Sequence, residues 1–329
     1  VPILPLRYRR ALSCLLASCL LGLWAWPAAG FGQEPVVRAM VSVLPLRTIV
    51  ERIGADRVAA ESLVVAGASP ATYDPTPRQM ARISEADVLF RVGVPFEQAW
   101  LPRLRNVNAD MRIVDLREGI ALRTLEAHDH HGAEPGHGHE TGEPAPADAH
   151  DHDEHGDHEH EPEAADGNEL DPHVWTSPDN MIRMAGRMRD TLVDLDPAGA
   201  MTYRRNHATL VADLETLDAD IRTILADVER RRFLVFHPAW GYFADAYGLE
   251  QIAIESRGKS PGAGALTRVI EQARQEDIRV VFVQQAFSRA DAGTVARALD
   301  AELVAVDPLS PDYFASLRRA AQAFAEAMR

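Results

Sequence analysis

The sequence predicts an α/β protein of two βα lobes, each on a parallel sheet of roughly four strands, joined by one long rigid helix. Two observations predict it. Short β-branched apolar runs alternate with helical segments before residue 125 and again after residue 232, the pattern of βαβ units. Between the two series, Pro197 opens over thirty residues with no Gly or Pro after Gly199. There Leu210, Leu214, Leu217, Ile221, Ile224 and Val228 recur at three- and four-residue spacing, which makes one apolar stripe. A helix of ~30 residues is ~45 Å long, more than one small domain spans, so it reads as a strut between lobes.

The first thirty residues stand outside this pattern. Arg7, Arg9 and Arg10 form a basic start, "ALSCLLASCLLGLWAW" an apolar run, and "PAAG" a small-residue end, the three parts of a secretory signal. Residues 1–30 are therefore expected to be removed near Gly30, leaving the chain in the periplasm. The apolar run is short for a membrane span, which needs about 20 residues. An uncleaved anchor is one alternative, and because "LASC" resembles a lipoprotein box, a form lipid-anchored at Cys19 is another. Both cysteines, Cys14 and Cys19, lie in this leader, so the mature chain has neither a disulfide nor a thiolate metal site.

The N-terminal lobe is assigned to residues 35–196. "PVVRAMVSV" reads as a strand and "PLRTIVERIG" as a helix closed by Gly54; "DRVAAESLVV" is the second strand. A Gly- and Pro-dense loop, "GASPATYDPTP", leads to the short helix "PRQMARIS". "ADVLFRVG", "PFEQAWLPRLR" and "MRIVDL" follow as strand, helix and strand, and "DNMIRMAGRMRDTLVDL" is a helix. The linking helix takes residues 197–231. In the C-terminal lobe, 232–329, the strands are "RFLVFH", "LEQIAIES", "IRVVFVQ" and "AELVAVD". The helices between and after them are "AWGYFADAYG", "ALTRVIEQARQED", "TVARALD" and "PDYFASLRRAAQAFAEAM".

Within the first lobe, periodicity vanishes over residues 126–169. That stretch holds no Lys or Arg, is dense in Asp and Glu, and is predicted to be disordered. Ten of the thirteen histidines fall in it: His128, His130, His131, His137, His139, His150, His152, His155, His158 and His160. Paired imidazoles on an acidic chain suit low-affinity collection of metal, which protonation near pH 5 would release. The formal charge of −15 becomes −18 without the leader's three arginines (31 minus 49). This disfavours nucleic acid as a partner, which needs a basic surface, and favours cations.

In open parallel sheets, ligands bind outside the carboxyl ends of the strands. Three residues able to hold a metal stand at ordered loop positions of that kind. His173 lies in "DPHVW", His237 ends "FLVFH", and Asp307 ends "AELVAVD". His and carboxylate ligands suit Zn2+, with Mn2+ or iron also possible. The remaining histidine, His207, lies within the long helix.

The segments "GASPATYDPTPRQMARISEADVLFRVG", "DPHVWTSPDN", "FHPAWGYFADAYGL" and "VAVDPLSPDYFASL" together resemble the periplasmic zinc/manganese-binding proteins of ABC metal importers, in family order. The resemblance implies a metal in the inter-lobe cleft, with His173 and His237 as ligand histidines and Asp307 as a carboxylate ligand. It also implies divalent-metal capture by a monomer that serves an ABC permease and its ATPase. Two positions depart from the family pattern. The Ser-Pro-His-Thr-Tyr loop reads Ser69-Pro70-Ala71-Thr72-Tyr73, and an acidic strand end reads Gln284-Gln285. Ala71 cannot ligate, so three explanations stay open. Water could be held by a neighbour such as Tyr73, or a histidine of 128–160 could enter. Otherwise the lineage has lost tight binding or takes more than a bare ion.

Zinc capture for import is the leading expectation. Manganese or other divalent-metal binding, a metallochaperone and an adhesin are its alternatives. A zinc hydrolase is remote: the chain has no HExxH, and Glu255 is its only candidate base.

Overall fold

The computed structural model describes residues 36–125, 170–255, 262–284 and 289–329. The expected leader, both cysteines and the ten clustered histidines lie outside the described residues. The strands form two four-stranded parallel sheets with the same order, β2-β1-β3-β4 and β6-β5-β7-β8.

The first sheet comprises β1 (Val37–Val41), β2 (Val58–Ser62), β3 (Val88–Arg91) and β4 (Arg112–Asp115). Helix α1 (Leu44–Gly54) buries Leu46, Ile49, Val50 and Ile53, one face at helical spacing. At its end a Cβ on Gly54 would stand 2.3 Å from the Val58 side chain, so glycine lets the chain turn tightly into β2. Helix α2 (Pro77–Ile83) starts on a capping box in which the Thr76 hydroxyl accepts from the Gln79 N–H and Gln79 answers. Helix α3 (Pro95–Val107) leads to β4.

Helix α4 (Pro178–Leu195) is followed by the linking helix α5 (Ala200–Ile224). The sequence predicts more than thirty residues here; the structure has 25, about 37 Å. The chain leaves the helix at Leu225, turns, and buries Leu225 and Val228 in the core. Burial of these two side chains ends the helix without a glycine or proline. The junction ahead of α5 is locked. Asp196 receives Arg57 in a two-pronged ion pair at 2.7 and 2.9 Å and the Tyr203 hydroxyl at 2.6 Å. A Cβ on Gly199 would come within 2.4 Å of the Asp196 carboxylate, so the cluster closes only over glycine.

The second sheet comprises β5 (Arg232–Val235), β6 (Glu250–Ala253), β7 (Val280–Val283) and β8 (Glu302–Ala305). Its helices are α6 (Gly241–Tyr247), α7 (Ala263–Gln275), α8 (Arg289–Leu299) and α9 (Tyr313–Ala327). Helix α5 packs on α1 and α4 and also on α9, so it touches elements of both lobes. One buried cluster runs from the first sheet through α5 to the Phe233, Phe282 and Phe324 side of the second sheet. A separate cluster fills the opposite face of the second sheet, with Leu234, Val281, Val269 and Val295. The lobes therefore share apolar surface removed from water, the dominant favourable term in folding.

Candidate metal centre

Two side chains meet where the carboxyl ends of β5 and β6 and the re-entering chain come together. His237 stands two residues past β5. The Phe236 N–H still donates to the Phe282 carbonyl, and Pro238, which has no N–H, ends the ladder. His173 precedes a 3-10 turn (Val174–Thr176) that leads into α4. That turn is pinned to the second lobe: the Trp175 indole donates to the Pro308 carbonyl at 2.8 Å, and the Tyr313 hydroxyl donates to the Trp175 carbonyl at 3.0 Å.

The two rings stand edge to face, with centroids 5.2 Å apart and Nε2 to Nε2 at 3.4 Å. Each Nδ1 meets a buried carboxylate, Asp171 Oδ1 at 2.8 Å from His173 and Glu255 Oε2 at 2.9 Å from His237. An ionised carboxylate only accepts, so each Nδ1 carries the proton and each Nε2 turns its lone pair toward the other ring. Carboxylate–histidine pairs of this kind fix ring orientation and raise basicity toward a metal. Two nitrogens bound to one zinc at about 2.0–2.1 Å with tetrahedral angles lie about 3.3 Å apart. The observed separation fits that ion. Burial pushes His237 below the ordinary imidazole value, opposed by its bond to Glu255 and reinforced by His173. Its ring is thus neutral, the ligating form, at neutral pH.

Asp171 is itself held. Its Oδ1 takes the His173 N–H at 2.9 Å, and its carbonyl takes the Tyr242 hydroxyl at 3.0 Å. Tyr242 in turn accepts from the Arg123 N–H at 3.1 Å, and the Arg123 guanidinium lies 3.8 Å from Asp171 and 3.7 Å from Asp245. A Cβ on Gly241 would fall 1.7 Å from Arg123, so glycine lets α6 approach this close. The antiparallel bridge Thr124↔Leu170 joins the chain on both sides of residues 126–169 beside this cluster.

Asp307 stands two residues past β8. Its Oδ1 caps the turn after β8 by accepting from the Leu309 N–H at 2.9 Å, and its side chain faces a cavity lined by Ser310, Ser316 and Arg319. Burial raises its carboxyl above the ordinary value. Among the described residues, no three His, Asp or Glu side chains converge on one point. The turn's own N–H accounts for where the Asp307 carboxylate stands. Ala71 is exposed, its N–H donating to Ser69 Oγ at 3.3 Å. The Tyr73 hydroxyl, expected as a holder of water, donates to Gln79 Oε1 at 2.8 Å within the cap of α2. Glu255 is committed to His237, so it orients a ring and is not poised as a base. His207 lies on α5 against α4, its Nδ1 3.3 Å from Arg189.

Sequence reasoning missed Asp171 as the partner of His173, although the Asp-x-His spacing was a usable local signal. Nothing local signals the pairing of Glu255 with His237, 18 residues away; it follows from β5 and β6 lying side by side with Val235 opposite Ala253.

The family described as "Zinc-uptake complex component A periplasmic" matches residues 40–327. The zinc-binding lipoprotein AdcA of Streptococcus pneumoniae (strain ATCC BAA-255 / R6) is 27% identical over 267 residues, 80% of this chain and 48% of that protein. The chain thus spans about half the length of that relative. The manganese-binding lipoprotein MntA of Halalkalibacterium halodurans is 26% identical over 280 residues, 82% of this chain and 80% of that protein. A crystal structure of ZnuA aligns with a TM-score of 0.76 and 32% identity, covering 89% of this chain and 99% of that one. The match to nearly the whole chain and the shared fold place it plainly: the chain belongs to the zinc-uptake component A family of periplasmic proteins.

Proposed function

We propose that the chain captures a divalent zinc ion outside the cytoplasm, in the periplasm, and delivers it to an ABC permease and its ATPase. One observation carries the reading: two carboxylate-oriented imidazoles aim their Nε2 atoms at each other across 3.4 Å, the spacing of two ligands on one zinc. His173 and His237 supply nitrogen, and Asp307 supplies a carboxylate oxygen, its Oδ1 alone being taken by the Leu309 N–H. The chain acts as a carrier and not as an enzyme, since Glu255 serves His237. It works as a monomer. Its ten clustered histidines collect metal weakly.

The relatives support this reading in kind. One is named for zinc binding, and a ZnuA structure described as a 138–173 deletion mutant with zinc bound aligns at a TM-score of 0.73 and 32% identity. The manganese-binding relative supports manganese as the second reading. Two imidazoles at the centre favour zinc, because manganese prefers oxygen donors. Competition against a chromophoric chelator tests the proposal. His237→Ala should weaken the tight zinc site by more than the roughly 10–100-fold typical of outer-shell changes. Wild-type affinity in that variant would remove His237 from the site.

A further inference from the structure

We propose that Gln284 receives a small anion that enters with the metal, so that the centre takes its cation together with an exogenous anionic donor. The inference rests on His173 and His237 being the ligands. Gln284 follows β7 directly, and β5 and β7 flank the point where strand order reverses in the second sheet. Ligands of open parallel sheets bind at such points, outside the strands' carboxyl ends.

Register places Gln284 beside His237. Val235 pairs with Phe282 and with Ala253, so two residues further on His237 lies opposite Gln284 on one side and Glu255 on the other. Side chains two apart share a sheet face. The His237–Glu255 bond shows that this alternation holds two residues past the strand ends. Phe233 and Phe282 belong to one core cluster and Leu234 and Val283 to the other, which puts His237 and Gln284 on the same face. Across that face run a carboxylate, an imidazole and an amide.

The carboxylate has its partner; among the described residues the amide nitrogen has none. Gln284 is 5% exposed, and its Nε2 is buried without a hydrogen-bond partner. Buried polar groups are nearly always satisfied, and an amide N–H without an acceptor is a cost that a leucine would avoid. What Nε2 can take is an acceptor, and no positive charge. A zinc ion with two or three protein ligands keeps a position open to an outside donor. Ala71 offers no donor of its own. An anion on the metal, such as hydroxide or a small carboxylate, satisfies both needs: it fills the open position and accepts from Gln284. The His173 and His237 side chains are 10% and 15% exposed, so the pair has an edge toward solvent.

The test uses the full chain with one equivalent of cobalt(II), whose visible bands report its ligands, titrated with azide as the probe anion. Azide should shift the bands of the wild-type protein. Gln284→Leu should bind azide at least ~10-fold more weakly, as should the equally sized Gln284→Glu, which replaces the donor with a charge. Metal-free Gln284→Leu should melt no lower than wild type, because the variant removes a buried N–H donor that has no acceptor. A spectrum unmoved by azide, or wild-type azide affinity in both variants, overturns the inference and leaves the two ligands standing. A cobalt spectrum that survives in His237→Ala overturns the ligand assignment and this inference with it.

Discussion

At the scale of single residues, the chemistry depends less on the two histidines than on what holds their outer nitrogens. A free imidazole exchanges its proton between both ring positions; His173 and His237 each have Nδ1 committed to a buried carboxylate. That leaves two lone pairs aimed at one place. Glu255→Gln keeps the shape and removes the charge, so zinc affinity should fall by about 10–100-fold. Chelator competition reads it, and unchanged affinity would show that His237 needs no such orientation. Both histidines were legible in the sequence, because Pro238 and the "DPHVW" context place them at ordered chain ends. Glu255 was visible only as a candidate base, since its partner depends on which strands lie side by side. The position of the Asp307 carboxylate was not legible either. A backbone N–H two residues on competes for it, and composition does not reveal that contest.

At the scale of elements, the strands and most helices followed from periodicity and from Pro and Gly punctuation. The end of α5 did not, because buried side chains stop it and no breaker residue does. The packing of α4 against α5 encloses His207. Burial, and then the nearby Arg189, push this imidazole below its ordinary value, while Asp190 pulls the other way. The fold therefore favours the neutral ring. As pH falls through the unfolded value of about 6.5 the unfolded chain takes up the proton first, so the stability present above that value is lost toward the folded value. His237 contributes with the same sign. His207→Leu should accordingly lose less stability than wild type between pH 7.5 and 5.5. Urea midpoints of the two metal-free proteins, compared pairwise, cancel the other histidines. An identical drop in both would show that His207 titrates as if exposed.

At the scale of the molecule, two sheets of identical order are bound into one core through α5, α6 and α9. In the proposed role, the fold presents a preformed pair of nitrogens. Among the described residues no helix is long and apolar enough to cross a membrane. Two lobes and a linking helix were legible from the alternation of short apolar runs. Their shared core was not, because no local pattern tells which outward faces will meet.

The central claim is that the ordered pair, and not the histidine-rich stretch, holds the metal tightly. Equilibrium dialysis of zinc at neutral pH tests it on three proteins: the chain from residue 31 onward, the same chain lacking residues 128–160, and that deletion combined with His237→Ala. The first should bind one tight equivalent plus several weak ones, the second the tight equivalent alone, and the third no tight equivalent. Loss of the tight equivalent on deletion alone, or its survival in the third protein, would contradict it.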